Sequence, residues 1–166
     1  SRYQRAVADI NRLISQAGKT CGIDISLADY RNSQLTPVKV DDLLKAAEKP
    51  QDNLFYPYFA ARLENALKKN SEFIGFSLNY LSQALCTFAM IGFIRRQNPR
   101  QKIILGGSLV TSWVKIADNE NIFGGLVDEI VAGAGEKKLL DLLGYQDGQI
   151  DTPPDYRGFP VNDYIS

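Results

Sequence analysis

Three short segments of the chain combine glycine with polar side chains, a combination suited to holding a ligand against exposed backbone. They are Gly75-Phe76-Ser77-Leu78-Asn79-Tyr80, Gly106-Gly107-Ser108 and Gly133-Ala134-Gly135-Glu136. Each lies where a short apolar run ends, and in an open parallel sheet ligands bind outside the carboxyl ends of the strands. Polar side chains supply hydrogen bonds there, and glycine lets a bulky ligand approach the main chain. The candidate ligand-binding residues are Ser77, Asn79, Tyr80, Ser82, Gly106, Gly107, Ser108, Gly133, Gly135 and Glu136.

Each segment also has a purely structural interpretation. Ser82 or Asn79 suits the N-cap of a helix that follows the first segment. Paired glycines after a strand often serve the geometry of a turn. Residues 133–136 can form a capped turn whose carboxylate favours the positive end of a helix dipole. They are not a dinucleotide fingerprint, because Lys138 stands where a third glycine is needed.

The composition excludes several kinds of chemistry. The chain of 166 residues has no histidine, so it has no Ser-His-Asp or Cys-His catalytic set and no imidazole ligand for a metal. We therefore expect no catalytic and no metal-binding residue. Lys and Arg total 19, as do Asp and Glu, and the net charge is zero. Since no long-range field favours nucleic acid or an anionic membrane, neither is expected as a partner.

The most apolar stretch and the cysteines indicate the compartment. Residues 81–94 are mostly apolar, but they are fewer than the roughly 20 residues that cross a bilayer, so they predict a buried helix. Cys21 and Cys86 are too few for a disulfide framework, and intracellular proteins commonly keep such thiols reduced. The cytoplasm is the expected location.

The apolar pattern predicts the elements that position the three segments. Residues 73–78, 103–105 and 130–132 are short apolar runs, typical of strands buried on both faces. A small or polar turn and then a helical pattern follow each run. Repeated strand, loop and helix predict right-handed crossovers and a parallel sheet covered by helices. The expected fold is α/β, with a doubly wound, flavodoxin-like or Rossmann-like parallel sheet.

The chain opens with a predicted helix and a predicted strand. Apolar residues at three-and-four spacing predict a helix over residues 3–17, stopped by Gly18. Alternation over residues 23–27 predicts an edge strand. A doubly wound domain normally opens with its central strand, so that strand is expected upstream of Ser1. The sheet edge left open could promote pairing of two copies into a homodimer.

Two helices are expected before the parallel sheet. One covers residues 41–48, where Asp41 or Asp42 can cap the exposed N–H groups. The other begins near Pro57, a residue suited to the first helical position. Residues 1–150 are expected to form one domain.

Together, the three segments and the tail resemble the cobalamin-binding domain that precedes the iron–sulfur barrel of cobalamin-dependent radical S-adenosylmethionine enzymes. The resemblance rests on a serine-bearing strand end, a strand that ends in Gly-Gly, and a Gly-Ala-Gly-Glu segment after a further strand. Residues 151–166, rich in proline, resemble the linker that enters the barrel. The resemblance covers residues 73–166 well and residues 1–72 in outline.

The resemblance implies that the chain is a corrinoid-binding module. Gly106 and Gly107 would let the nucleotide tail of the corrinoid pass close to the backbone, and residues 133–136 would close the far side of the pocket. S-adenosylmethionine and the 4Fe–4S cluster would belong to a downstream barrel, so the chain is not expected to be catalytic alone. Four polar residues would line the lower face or the tail of the corrinoid: Ser77, Asn79, Tyr80 and Ser82.

Two other hypotheses stay open. One is a degenerate α/β cap domain that binds no cofactor and has a structural or substrate-gating role. Asn79 motivates it, because many corrinoid proteins have leucine at that position. The other is a free-standing module for another nucleotide-like ligand. Bulky side chains above Gly106 would favour the cap, whereas an open groove at the strand ends would argue against it.

Overall fold

The computed structural model describes residues 1–20, 22–115 and 122–145. The contacts within the chain divide it into two units, Ser1–Gly133 and Ala134–Ser166. This division falls earlier than the expected domain boundary after residue 150. That boundary and the predicted linker over residues 151–166 lie outside the described residues.

The described part of the first unit contains helices and strands in alternation. The helices are α1 (Arg2–Thr20), α2 (Val40–Glu48), α3 (Tyr56–Leu67), α4 (Leu81–Gln97) and α5 (Ser108–Val114), with a short 3₁₀ turn at Pro50–Asp52. The strands are β1 (Ile23–Ile25), β2 (Tyr30–Asn32), β3 (Phe73–Ser77), β4 (Lys102–Gly106) and β5 (Glu129–Val131). The second unit contains α6 (Glu136–Leu142).

The three predicted strands form one parallel sheet in the order β3-β4-β5. Ser77 of β3 is opposite Gly106 of β4, and Gly106 is opposite Val131 of β5. Helix α4 connects β3 to β4, and α5 follows β4. The mixed α/β class, with a parallel sheet flanked by helices, is therefore confirmed.

The place of each strand in the sheet decides how deeply it is buried. In the central strand β4, Ile103, Ile104 and Leu105 are buried. Strands β3 and β5 each have one neighbouring strand among the described residues. Gly75 and Ser77 of β3 are exposed. The residues of β5 are only partly buried. Burial on both faces is therefore correct for β4 and wrong for β3 and β5.

The strand expected over residues 23–27 forms, but it pairs outside the parallel sheet. β1 pairs antiparallel with β2, which places Ile25 opposite Tyr30. A tight turn joins the two strands: the Ser26 N–H donates to the Asp29 carbonyl at 2.8 Å, and the Asp29 N–H donates to the Ser26 hydroxyl at 2.9 Å. Because this turn reverses the chain directly after β1, β1 and β2 form a hairpin.

Helix α1 continues to Thr20, beyond its expected end at Gly18. A Cβ on Gly18 would lie 2.8 Å from the Ile23 carbonyl oxygen, so glycine here lets β1 pack closely on the helix. Part of the predicted apolar face stays exposed, since Ile10 is 48% exposed and Leu13 is 62% exposed.

Helix α2 forms where expected, but neither predicted aspartate caps it. The Asp42 carboxylate accepts the Thr36 N–H at 3.1 Å and the Lys45 ammonium at 3.1 Å. Both bonds lower the pKa of the Asp42 carboxyl, and the bond from the Thr36 N–H has the larger effect. Asp42 therefore fixes the loop before α2. Helix α3 has a proline in its first turn, which confirms the expected start near Pro57.

The core is densest where α2 crosses α4. A Cβ on Gly92 of α4 would lie within 2.6 Å of the Ala47 Cα atom, so the two backbones nearly touch. Leu43, Phe88 and Ile91 are buried around this crossing. The buried helix expected over residues 81–94 is thus confirmed. Within the described ranges, no helix has the length and hydropathy needed to cross a membrane.

Arg95, in the last turn of α4, ties β4 to β5 at their amino ends. Its guanidinium donates to the Leu126 carbonyl at 3.0 Å and to the Gln101 carbonyl at 2.6 Å. It also donates to the Asp128 carboxylate at 2.5 Å. That carboxylate accepts the Ile103 N–H at 2.7 Å. The Arg95 side chain is only 16% exposed. This mostly buried network holds the segment before β5 against the start of β4.

Candidate functional site

The first two predicted segments meet at the carboxyl edge of the parallel sheet. The Leu78 N–H donates to the Gly106 carbonyl at 2.7 Å, and the Leu109 N–H donates to the Leu78 carbonyl at 3.3 Å. The loop after β3 therefore runs beside the loop after β4. Parallel pairing dictates this proximity, because both strands end at the same edge of the sheet.

Asn79 links these two loops through its side chain. Its amide oxygen accepts the Ser108 N–H at 2.9 Å, and its amide nitrogen donates to the Ser77 hydroxyl at 3.2 Å. The Ser108 hydroxyl lies 3.3 Å from the same amide oxygen. Ser108 is the first residue of α5, so Asn79 caps a helix that is distant in sequence. Three candidate ligand-binding residues thus bond to one another.

Gly107 is a glycine because the backbone requires it. Its φ is +111°, a conformation that side chains rarely adopt. A Cβ there would also lie 2.7 Å from the Leu78 nitrogen. At Gly106, a Cβ would lie 3.2 Å from the Val131 carbonyl oxygen. The space freed by these glycines is therefore used mainly by neighbouring strands and loops of the chain itself.

Gly133 lies at the same edge, two residues after β5. Its N–H donates to the Thr111 hydroxyl at 2.9 Å, and that hydroxyl donates to the Gly107 carbonyl at 2.9 Å. Thr111 thus connects the loop after β4 with the loop after β5. Sequence reasoning missed this residue, because a threonine inside a helix carries no distinctive signal.

Gly135 and Glu136 belong to the second unit. Gly135 precedes α6 with an ordinary φ of −91°, and Glu136 is the first residue of that helix. The carboxylate in the first turn suits the helix dipole, in agreement with the structural interpretation of this segment.

A cleft opens beside β3 and is called here the β3 cleft. Its volume is about 780 Å³, and its walls come from the β1–β2 turn, α3, the end of β3 and the first half of α4. The walls are mostly apolar and aromatic, and three candidate residues line it: Ser77, Tyr80 and Ser82. The Gly106, Gly107 and Ser108 loop is not part of its lining.

The start of α4 forms one end of the β3 cleft. The expected caps Ser82 and Asn79 are wrong for this helix: the side-chain oxygen of Gln83 accepts the Tyr80 N–H and the Asn79 N–H, each at 3.3 Å. Ser82 therefore does not cap α4, and it lines the cleft together with the exposed Tyr80.

Two titratable groups in the cleft wall were not predicted from the sequence. Tyr30 is 8% exposed, and its hydroxyl has no hydrogen-bond partner among the described residues. Burial raises the pKa of that hydroxyl, and the nearby Asn32 amide only partly offsets the effect. Burial also raises the pKa of the Cys86 thiol to about 11. Both groups are therefore neutral at physiological pH.

No group of His, Cys, Asp and Glu side chains in the described part of the chain is arranged to hold a metal ion. No family model, no curated protein and no solved structure matches the chain.

Proposed function

We propose that this chain is the corrinoid-binding module of a radical S-adenosylmethionine enzyme. The observation that carries the proposal is the β3 cleft, which opens at the carboxyl end of a parallel strand, the usual ligand position in such sheets. Its volume of about 780 Å³ lies within the range of ligand pockets, roughly 300–1,000 Å³. The motif resemblance supplies the identity of the ligand.

The cleft fits part of a corrinoid rather than the whole cofactor. A corrin ring with its nucleotide tail exceeds this volume, so the flat tail is the part proposed to enter. Three hydroxyl-bearing residues, Ser77, Tyr80 and Ser82, belong to the mostly apolar lining, a combination that orients a flat heterocycle. A bound corrinoid supplies a cobalt centre for chemistry in a separate barrel.

The doubly wound arrangement is proposed as part of the same assignment. β3 has one strand partner among the described residues, and the Leu78 N–H points toward β4. Since backbone groups alternate in direction along a strand, those of Gly75 and Ser77 point to the open edge. A further strand paired there would complete the sheet, and a second copy is the other partner that this edge suits.

The proposed partner follows from the resemblance, and the proposed compartment follows from the cysteines. The barrel that holds S-adenosylmethionine and the iron–sulfur cluster would bind next to this module and carry out the reaction. The proposed location is the cytoplasm, where a free thiol such as Cys86 stays reduced.

Retention of hydroxocobalamin tests the proposal. The chain is expected to co-elute with corrinoid absorbance in gel filtration, and Ser77→Phe should lower the affinity at least about tenfold by filling the cleft. Ser112→Phe is the matched control, because Ser112 is exposed on α5 and outside the cleft lining. Clean separation of the corrinoid from the unsubstituted chain would contradict corrinoid binding, and equal retention by Ser77→Phe would contradict binding in the β3 cleft.

A non-binding structural cap is the second candidate, favoured by the bonds of Asn79 to Ser77 and Ser108. If the edge is structural, Asn79→Ala should lower the free energy of unfolding by about 1 kcal/mol, the usual effect of losing a helix cap. Such a cap should retain no corrinoid at all, so retention of hydroxocobalamin by the unsubstituted chain would count against it.

A further inference from the structure

Arg62, on α3, is an unpaired cation at the β3 cleft. It lines the cleft, and its guanidinium lies 4.3 Å from the centre of the Tyr58 ring. Within residues 1–20, 22–115 and 122–145, no carboxylate forms an ion pair with Arg62. The stacked ring holds the guanidinium in place and leaves its N–H donors open to a ligand.

The other charged residue of the lining does not balance Arg62. Asp29 is already paired with Arg31, whose Nε lies 2.9 Å from the carboxylate. Cys86 remains a neutral thiol, because burial raises its pKa to about 11. The cleft therefore carries one positive charge that its own walls leave uncompensated.

Aromatic rings give the cleft its shape preference. Phe55, Phe59 and Phe76 line it, and the exposed ring of Tyr80 stands at the end formed by α4. Flat rings pack face to edge against such walls, whereas a highly charged or strongly hydrated ligand would lose its water shell on entry.

We infer that the β3 cleft binds a flat, apolar compound that carries a single negative charge, with Arg62 as the partner of that charge. The inference shares with the proposed function the assumption that the β3 cleft binds a ligand. It does not require that this ligand is a corrinoid. Neither the motifs nor the strand-end glycines point to Arg62, which lies on a helix outside all three segments.

Two fluorescent probes that differ in charge test the inference. The anionic probe is 8-anilinonaphthalene-1-sulfonate, and the neutral one is N-phenyl-1-naphthylamine, the same ring system without the sulfonate. Each is titrated into the folded chain, into Arg62→Gln and into Lys68→Gln. Lys68 follows α3, is exposed and lies outside the cleft lining. Lys68→Gln therefore removes one positive charge, as Arg62→Gln does, without changing the cleft.

Arg62→Gln should bind the anionic probe about two- to fivefold more weakly, the usual effect of losing one exposed charge partner. Its affinity for the neutral probe should be unchanged. Lys68→Gln should match the unsubstituted chain with both probes, and Arg62→Lys should keep most of the affinity for the anionic probe. Circular dichroism of each variant confirms that it is folded.

Three outcomes would overturn the inference: no saturable binding of the anionic probe, equal affinity in Arg62→Gln, or an equal loss for both probes. A parallel titration with hydroxocobalamin separates this inference from the proposed function. If hydroxocobalamin does not bind but the anionic probe depends on Arg62, the corrinoid assignment fails and the inference holds. If hydroxocobalamin binds but Arg62→Gln leaves the affinity for the anionic probe unchanged, the role of Arg62 is wrong and the corrinoid assignment stands.

Discussion

Replacing Gly92 by alanine tests the packing of α2 against α4 most directly. An added Cβ would lie 2.5 Å from the Ala47 carbonyl carbon and 2.6 Å from its Cα, and closer still to its oxygen. These are main-chain atoms, so no rotamer change can relieve the overlap. To regain ordinary contact distances, the two helices must separate by about 1 Å or distort.

Two opposing terms set the magnitude. Alanine is favoured over glycine inside a helix by about 1 kcal/mol. Overpacking a core typically costs about 1–3 kcal/mol, and more where the backbone must move. The separation also exposes part of Leu43 and Ala46, which are buried in α2. We expect Gly92→Ala to lower the free energy of unfolding by at least about 2 kcal/mol.

Urea unfolding followed by circular dichroism measures this effect, with the free energy taken from the midpoint and the slope. Gly75→Ala is the matched control, because a Cβ on Gly75 meets nothing within 4 Å. That variant should change stability by less than about 1 kcal/mol, with a gain as the expected sign. If Gly92→Ala unfolds at the same urea concentration as the unsubstituted chain, or higher, the close helix crossing is wrong.

Three further predictions concern buried polar groups. Arg95→Ala should lower the free energy of unfolding by about 3 kcal/mol, because it removes the ion pair of the Asp128 carboxylate and the donor that the Leu126 and Gln101 carbonyls share; a midpoint unchanged in urea would contradict the network. Tyr30→Phe keeps the ring, whose centre lies 5.2 Å from that of Phe55, and removes an unpartnered hydroxyl, so stability should hold or rise by about 1 kcal/mol. A loss of that size would reveal a hidden partner. Alkylation of Cys86 by iodoacetamide, followed by mass spectrometry, should increase up to about pH 11, because burial raises the pKa of the thiol. Since that pKa exceeds the ordinary value of 9.0, the unfolded chain loses this proton first and stability should fall from pH 9 to 11; rapid alkylation near pH 8 would contradict the burial.

Much of the fold follows from local pattern. The apolar runs that became β3, β4 and β5 were recognised because strands in a parallel sheet are rich in apolar residues. The regular spacing in α1 and the proline at the start of α3 also predicted helices correctly. The errors came from contacts that each helix makes with chain outside it. Gly18 indicates a helix stop in the sequence, yet it allows β1 to pack closely on α1, and Asp42 bonds to a loop residue rather than capping α2.

The candidate site was predicted only in part, for the same reason. Strand ends identified Ser77, and the register places it beside Gly106. Which polar groups remain open to a ligand depends on what each one contacts. Asn79 bonds to Ser77 and Ser108, whereas Ser82 lines the β3 cleft, and Gln83 bonds to the backbone at the start of α4. No local pattern encodes such a difference.

The sequence by itself determined the α/β class, the parallel strands and the edge where their loops gather, because these depend on periodicity and chain connectivity. Only the tertiary structure decided that Gly107 accommodates the Leu78 backbone and that Arg62 stands unpaired at a cleft. Both depend on the distance between segments far apart in the chain. Packing sets that distance, and composition and spacing carry no direct record of it.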